Sequence, residues 1–244
     1  MNPPPIPPDV RQELLALTEQ VEGWLTVEEG TLLYQLARAC TGRGAIVEIG
    51  SFKGKSTIWL AKGSQAGAGA KVFAIDPHTG SEEHRRSEKP VWTYDDFLAN
   101  LRRAGVEELV EPIVATSADA AAQFDQPVEL LFIDGDHRYE MVRQDFDLWF
   151  PKLLEGGYLL MHDTIRWEGP RRVARQSIYR SRSFREVGFV HSITFGRKVA
   201  HNTPADRRRN RYLLLLHIVY DRLSCVRVPT MLKRVAKAVF ARLQ

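Results

Sequence analysis

Four acidic or histidine side chains stand directly after two apolar runs of the sequence. Asp134 follows Leu-Leu-Phe-Ile, with His137 three residues later, and His162 and Asp163 follow Leu-Leu-Met. If both runs are parallel strands, these side chains meet in the crevice beyond the strand ends, where such sheets bind ligands. Carboxylates and imidazoles that converge in this way can hold a divalent metal. An imidazole, with an ordinary pKa of about 6.5, can also accept a hydroxyl proton near neutrality.

A structural interpretation of these acids stays open, because they can also cap helices or pair with nearby arginines. Seven arginines cluster after the second run: Arg166, Arg171, Arg172, Arg175, Arg180, Arg182 and Arg185. The cluster can hold an acidic acceptor. We favour a solvated helix face that pairs with the acidic body of the chain.

The segment Val47-Glu-Ile-Gly-Ser-Phe-Lys-Gly-Lys-Ser-Thr57 is a second candidate site. Glycine is needed where a strand turns sharply into a helix and the backbone approaches a ligand. A dinucleotide loop requires G-x-G-x-x-G, and the second of these glycines is missing here. A phosphate-binding P-loop requires four residues between its glycines, whereas only three separate Gly50 from Gly54. A third ligand, S-adenosylmethionine (SAM), carries no phosphate and needs a close backbone approach together with acids.

Two acids suit SAM. Glu48 lies at the end of the first predicted strand, and Asp76 follows the second. A carboxylate at the latter position can accept the hydrogens of both ribose hydroxyls. We therefore favour SAM, while a phosphate cradle and a purely structural turn remain the alternatives.

Strand and helix patterns alternate around these sites. Strands are predicted over residues 45–49, 71–75, 110–114, 128–133 and 157–161, and helices over residues 55–65, 94–103, 117–124 and 139–150. This alternation implies right-handed crossovers and a mostly parallel sheet with helices on both faces. The runs Phe184–Val190 and Ser192–Val199 are separated only by His191, too tightly for a helical crossover, and predict an antiparallel pair.

The chain divides into three predicted parts. Residues 1–43 form an N-terminal arm and helices, with a capping box from Thr26 to Glu29. Residues 44–200 form the α/β domain, and residues 201–244 form a basic helical extension. From Asp206 onward the sequence contains ten Lys and Arg residues but only two acids, so the extension rather than the body carries the positive charge. The extension has an apolar helical face formed by Met231, Leu232, Val235, Val239 and Leu243.

That apolar face needs burial. We expect dimerisation or packing on its own domain first, and peripheral contact with an anionic membrane second. Nothing in the sequence resembles a nucleic-acid module. The two cysteines form neither a disulfide framework nor a zinc pattern, and the N-terminus has no signal-peptide pattern. No run approaches the length of a membrane span. We therefore expect a cytoplasmic protein.

Four motifs carry a family resemblance: VEIGSFKGKST, FAIDP, LLFIDGDH and GGYLLMHDT. They resemble class I SAM-dependent methyltransferases over residues 45–199. The spacing E-x-G-x-x-x-G-x-S is similar to the catechol and caffeoyl-CoA O-methyltransferase branch, and to bacterial enzymes that methylate sugars. The resemblance implies a Rossmann-like sheet of seven strands, the last one antiparallel.

The resemblance also implies site residues. SAM would be bound by Glu48, Gly50, Ser51, Gly54, Ser56, Thr57, Asp76, Ser117 and Asp119. The last two would lie near the adenine, and a helix cap at Ser117 is an equal alternative. Asp134 and Asp163 match two Mg²⁺ ligands of the branch, whereas Thr164 stands where the family usually has Asn. Either His162 or a water would complete the metal site, or no metal binds. His137 takes the position of the catalytic lysine.

The sequence thus predicts SAM-dependent O-methylation of a small molecule such as a sugar, a phenol or a natural-product hydroxyl. His137 is the predicted base, and Asp134 is the second catalytic candidate. Two other functions remain: a P-loop-like nucleotide-binding protein, and a protein of this fold with a non-methylating role.

Overall fold

A seven-stranded sheet forms the centre of the computed structural model, which describes residues 5–80 and 91–224. The apolar face predicted after residue 230, and most of the loop between His78 and Val91, lie outside these residues. The sheet order is β3-β2-β1-β4-β5-β7-β6. The strands are β1 Ala45–Ile49, β2 Val72–Ile75, β3 Val110–Ile113, β4 Val128–Ile133, β5 Leu153–Met161, β6 Phe184–Val190 and β7 Ile193–Lys198.

Strands β1 to β5 are parallel, whereas β7 is antiparallel to both of its neighbours, β5 and β6. Every residue of β1, β2 and β4 is buried, as expected for parallel strands that are covered on both faces. The predicted α/β class and the antiparallel terminal pair are confirmed. One boundary differs: β5 begins at Leu153, whereas the sequence predicts a strand that starts at residue 157.

Eight α-helices cover the two faces of the sheet within the described residues. They are α1 Pro8–Glu19, α2 Val27–Arg38, α3 Lys55–Gln65, α4 Tyr94–Ala104, α5 Ser117–Gln123, α6 Tyr139–Trp149, α7 Glu168–Ala174 and α8 Pro204–Ser224. One hydrophobic cluster joins the sheet to α1–α4, and a second joins it to α5–α8. The N-terminal helices are therefore part of the same core as the sheet. None of the described helices is both long and apolar enough to span a membrane.

The capping box of α2 forms as the sequence predicts. Thr26 accepts from the backbone N–H of Glu29, and Glu29 accepts from the backbone N–H of Thr26. Helix α2 packs so closely on α3 that a Cβ at Gly30 would collide with the ring of Trp59. This packing places the first turn of α2 near the end of β5, which matters for the site below.

Helix α8 is held to the body by a buried acid. Asp221 accepts from Arg171 at 3.1 Å and from Arg175 at 2.9 Å. These two arginines of the basic cluster therefore have a structural partner, but they are largely buried and pair with the C-terminal extension and not with the acidic body as expected. The opposite side of α8 exposes a stripe of apolar residues: Tyr212, Leu215, Val219 and Leu223.

Candidate active site

The loop between β1 and α3 turns through three left-handed residues. Gly50, Phe52 and Gly54 have φ values of +85°, +46° and +87°. A Cβ at Gly50 would collide with the carbonyl oxygen of Asp134, at the end of the adjacent strand β4. From the sequence, we expect glycine at position 50 because the backbone must approach a ligand there. The structure adds a second reason for glycine at this position. Glycine here lets the ends of β1 and β4 approach each other.

Asp76 joins the end of β2 to this loop. One carboxylate oxygen accepts from the backbone N–H of Phe52 at 2.8 Å, and the other accepts from that of His78 at 2.6 Å. The two bonds fix the orientation of the carboxylate. Each oxygen retains a second lone pair, so Asp76 can still accept hydrogen bonds from ligand hydroxyls.

A crevice of about 750 Å³ opens beyond the ends of β1, β2, β4 and β5. Nine of the residues predicted from the sequence line it: Gly50, Ser51, Ser56, Asp76, Ser117, Asp134, His137, His162 and Asp163. The other four, Glu48, Gly54, Thr57 and Asp119, are not among the lining residues. The topology thus brings most of the predicted site to one cavity.

Glu48 and Thr57 form a buried pair beneath the loop. The Thr57 hydroxyl donates to one oxygen of Glu48, and the other oxygen has no partner among the described residues. Burial raises the pKa of Glu48 to about 8, and the charges of Asp134 and Asp76 add to this effect. Glu48 is buried beneath the loop and is not among the residues that line the crevice, and its expected contact with SAM stays a prediction.

Gly54 and Asp119, the other two predicted residues that do not line the crevice, have packing and capping contacts. Gly54 faces the ring of Phe97. The cap of α5 is Thr116, one residue before the predicted Ser117, and its hydroxyl exchanges hydrogen bonds with Asp119. Ser117 instead accepts from the indole N–H of Trp149 at 2.9 Å.

The predicted metal ligands do come together. Nδ1 of His162 lies 3.0 Å from Asp134 Oδ1 and 3.3 Å from Asp163 Oδ2. One ligand atom from each of the three residues lies within 4.8 Å of the others. Thr164 is not part of this group, because its buried hydroxyl donates to the Ser192 carbonyl at 2.7 Å. The candidate ligand group therefore consists of His162 and the two acids.

The pKa values of the three side chains in this cluster are shifted by competing effects of burial and of neighbouring charges. Burial alone would lower the pKa of His162, but the charge of Asp134 raises it well above the ordinary value. For Asp163, burial is outweighed by the hydrogen bond from His137 and by His162, which hold its pKa well below the usual range. Burial raises the pKa of Asp134, against the opposing charge of His162. The two carboxyls of the cluster are therefore chemically different.

His137 sits at the mouth of the same cluster. Its Nε2 lies 2.9 Å from Asp163 Oδ2, and its ring stacks on Trp167 with centroids 4.1 Å apart. The neighbouring acid Asp136 is engaged by the guanidinium and the backbone N–H of Arg138. Asp163 is therefore placed to orient His137.

Sequence reasoning missed two residues beneath the cluster. Ser192 Oγ lies 3.1 Å from Nε2 of His162, and Glu29 accepts from both the hydroxyl and the backbone N–H of Ser192. In the sequence Glu29 has only the signature of a helix cap. Its second role could not be found there, because 163 residues separate it from Ser192.

Known proteins resemble this chain in sequence and in fold. Residues 47–164 match the family model described as a methyltransferase domain. This segment resembles a methyltransferase domain. Catechol O-methyltransferase of Mycobacterium tuberculosis is 30% identical over 142 residues, which cover 58% of this chain and 56% of that protein. An uncharacterised protein of Acanthamoeba polyphaga mimivirus is 29% identical over 126 residues, covering 50% and 52%.

The chain thus spans about half the length of the curated relatives it matches. Among solved structures, the O-methyltransferase from Bacillus cereus in complex with SAH is similar, with 21% identity and a TM-score of 0.57. The alignment covers 79% of this chain and 92% of that one. It shows the shared fold. The class I methyltransferase resemblance found in the motifs is confirmed.

The crevice has features that suit SAM. The hydroxyl of Ser51 lines the crevice, is buried, and has no hydrogen-bond partner among the described residues. Buried polar groups in native proteins are satisfied by protein, water or ligand. With the fixed carboxylate of Asp76 on the adjacent strand, this orphaned hydroxyl provides polar contacts for a ligand on the loop.

The domain also has a donor set that suits a divalent cation. Asp134 and Asp163 each offer a carboxylate oxygen and His162 offers a buried nitrogen, all on one wall of the crevice. Such oxygen and nitrogen donors are the usual ligands of divalent metals in proteins.

Proposed function

We propose that this protein transfers a methyl group from SAM to a hydroxyl oxygen of a small molecule. The observation that carries the proposal is a single crevice that joins two features. One is the β1–α3 loop with Asp76, and the other is the His137–Asp163 pair. A cofactor held by the first feature would place its reacting end near the second.

SAM, when bound, would supply an electrophilic methyl group. Asp76 would hold the ribose hydroxyls with an orientation that the backbone of Phe52 and His78 has already fixed. Ser51 would donate or accept with its buried hydroxyl. Because these groups are held before the ligand arrives, little ordering remains to be done on binding.

His137 would take the proton of the acceptor hydroxyl. Asp163 is ionised and accepts from Nε2, so Nδ1 is the basic nitrogen of the neutral ring. An acid that orients an imidazole and stabilises its protonated form is the arrangement of many general bases. Stacking on Trp167 fixes the plane of the ring.

A divalent cation would be held by Asp134, His162 and Asp163, and it would supply a lower pKa for the acceptor hydroxyl. The protein's remaining contribution is positioning. Alignment of the acceptor oxygen with the methyl group accounts for much of the rate in such displacements. The side chains around the crevice mouth provide that alignment.

Aromatic side chains at the mouth support a cyclic acceptor. Trp24 and Trp167 line the crevice and are 70% and 41% exposed. Large exposed aromatics of this kind bind flat rings and the apolar faces of sugars. A cavity of about 750 Å³ that also holds SAM leaves room for a small acceptor only. We therefore favour a phenol or a sugar.

Calorimetric titration of SAM and SAH tests the cofactor assignment, with ATP as the control ligand. We expect SAM and SAH to bind the wild type, Asp76→Ala to lose binding, and ATP not to bind. A matched control is Asp147→Ala, because Asp147 lies on α6 and its partner is Arg143. Preferential ATP binding would instead favour the nucleotide-binding alternative, and SAM binding without methyl transfer to any phenol or sugar would favour a non-methylating role.

A further inference from the structure

Glu29 uses its two carboxylate oxygens for two different tasks. Oε2 accepts from the backbone N–H and the hydroxyl of Thr26, both at 2.9 Å, and so caps α2. Oε1 accepts from the backbone N–H of Ser192 at 2.8 Å and from its hydroxyl at 2.7 Å. The first turn of α2 is thereby tied to the turn between β6 and β7, below the candidate active site.

The hydrogen atoms of this network can be assigned one by one. Each carboxylate oxygen of Glu29 accepts from a backbone N–H, that of Thr26 or that of Ser192, so Glu29 is the acceptor in this network. The single hydroxyl hydrogen of Ser192 therefore points to Glu29. Nε2 of His162, which lies 3.1 Å from the same oxygen, must then be the donor.

This assignment determines the chemistry of the other ring nitrogen. With one hydrogen held on Nε2, Nδ1 is the ring nitrogen that faces Asp134 and Asp163. That nitrogen is buried and lies 3.0 Å from Asp134 Oδ1 and 3.3 Å from Asp163 Oδ2. His162 as a whole is only 5% exposed. One donor atom from each of these three residues lies within 4.8 Å of the others, so a dication could take the place of the proton that Nδ1 shares with the carboxylates.

Carboxylate support behind a metal-bound histidine is a recurring feature of protein metal sites, where it fixes the tautomer and raises the basicity of the ring. Glu29 would provide that support through Ser192. A site with one imidazole and two carboxylates also favours different metal ions from a site whose ligands are all oxygen atoms. Oxygen ligands suit Mg²⁺, whereas imidazole favours zinc, cobalt and similar transition metals.

We propose that Glu29 and Ser192 hold His162 as a metal ligand, so that the Asp134–His162–Asp163 site selects a transition-metal dication such as Zn²⁺ or Co²⁺ over Mg²⁺. This inference rests on the metal included in the proposed function. Glu29 acts through His162 and is therefore a positioning residue.

Direct metal binding to the full chain tests this inference without any methyl transfer. Co²⁺ is the probe, because its visible absorption reports nitrogen ligation, and Mg²⁺ and Co²⁺ affinities are compared by calorimetry. We expect the wild type to bind Co²⁺ about 100-fold more tightly than Mg²⁺. In His162→Asp the preference should shrink to a few-fold and the absorption should change. His201→Ala, which removes an exposed histidine, controls for adventitious binding.

Two further variants separate the two tasks of Glu29. Glu29→Gln keeps an amide oxygen and should weaken Co²⁺ binding about tenfold, which is typical for loss of outer-sphere support. Thr26→Ala removes the capping hydroxyl and leaves the Ser192 side intact. It should lower the melting temperature and leave Co²⁺ affinity unchanged.

Equal affinity of the wild type for Mg²⁺ and Co²⁺ would overturn the inference, as would unchanged Co²⁺ affinity in Glu29→Gln. Failure of the proposed function gives a different result: SAM does not bind, whether or not the metal binds.

Discussion

Nε2 of His137 lies 2.9 Å from Oδ2 of Asp163, although 26 residues separate them in the chain. Strand pairing explains this proximity. β4 and β5 are parallel neighbours, and their last residues, Ile133 and Met161, face each other across the ladder. The residues that follow the two strands therefore enter the same crevice. Asp163 itself has a φ of +55°, an uncommon conformation for a residue other than glycine.

We predict that His137→Gln lowers kcat about 10²- to 10⁴-fold, the usual contribution of a general base. Glutamine retains polarity and approximate size but cannot take the proton. SAM affinity should stay at the wild-type value, since Asp76 and the β1–α3 loop are intact. The measurement is steady-state kinetics at several pH values, with calorimetry of SAM. A variant that retains wild-type kcat would exclude His137 as the base.

Trp167→Ala tests whether the stacked indole matters for the orientation of His137. We expect kcat to fall and the KM for the acceptor to rise, because the ring plane of His137 is no longer fixed and an aromatic wall is lost. Trp92→Ala is the matched control, since Trp92 is 53% exposed and does not line the crevice. Equal effects of the two variants would show that the stack has no specific role.

Gly50→Ala should destabilise the fold, and Gly105→Ala should do so much less. Both glycines have positive φ, which costs an alanine about 1 kcal/mol. Gly105 has open space around its missing Cβ, whereas at Gly50 the new methyl group would meet the Asp134 backbone. The clash adds about 1–3 kcal/mol. Urea denaturation measures both values, and similar losses would contradict the close approach of β1 and β4.

The fold follows from local patterns, and this is why the sequence predicts it well. The apolar runs at residues 45–49 and 128–133 are short and uninterrupted, as buried parallel strands require. Once those strands are adjacent, the positions of Asp76, Asp134 and Asp163 at one edge follow from topology alone. These parts of the candidate site could therefore be predicted without any structure.

Contacts between distant segments could not be predicted in this way. Glu29 has a complete local explanation as a helix cap, so nothing in the sequence indicates its second partner, Ser192. Likewise, Glu48 at a strand end matches the family motif, and only the packing of Thr57 shows that its carboxyl faces the interior. The side to which a side chain turns depends on tertiary packing, which a local pattern does not encode.

Glu48 also gives the protein a specific dependence of stability on pH. Its pKa is raised from the ordinary value of 4.5 to about 8 in the folded state, chiefly by burial. The folded protein therefore holds this proton more tightly than the unfolded chain. The resulting stabilisation is complete below pH 4.5 and is lost as the pH rises through about 8.

We predict that Glu48→Gln removes this dependence, because glutamine fills the same space and never ionises. The free energy of unfolding of the wild type, relative to that of Glu48→Gln, should fall steadily between pH 4.5 and 8. Urea denaturation of both proteins across this range, without SAM or metal, measures the difference. Glu140→Gln, at an exposed position of α6, controls for the loss of one acidic group. Parallel curves for wild type and Glu48→Gln would mean that Glu48 is as well solvated as a surface glutamate, which would contradict its burial beneath the loop.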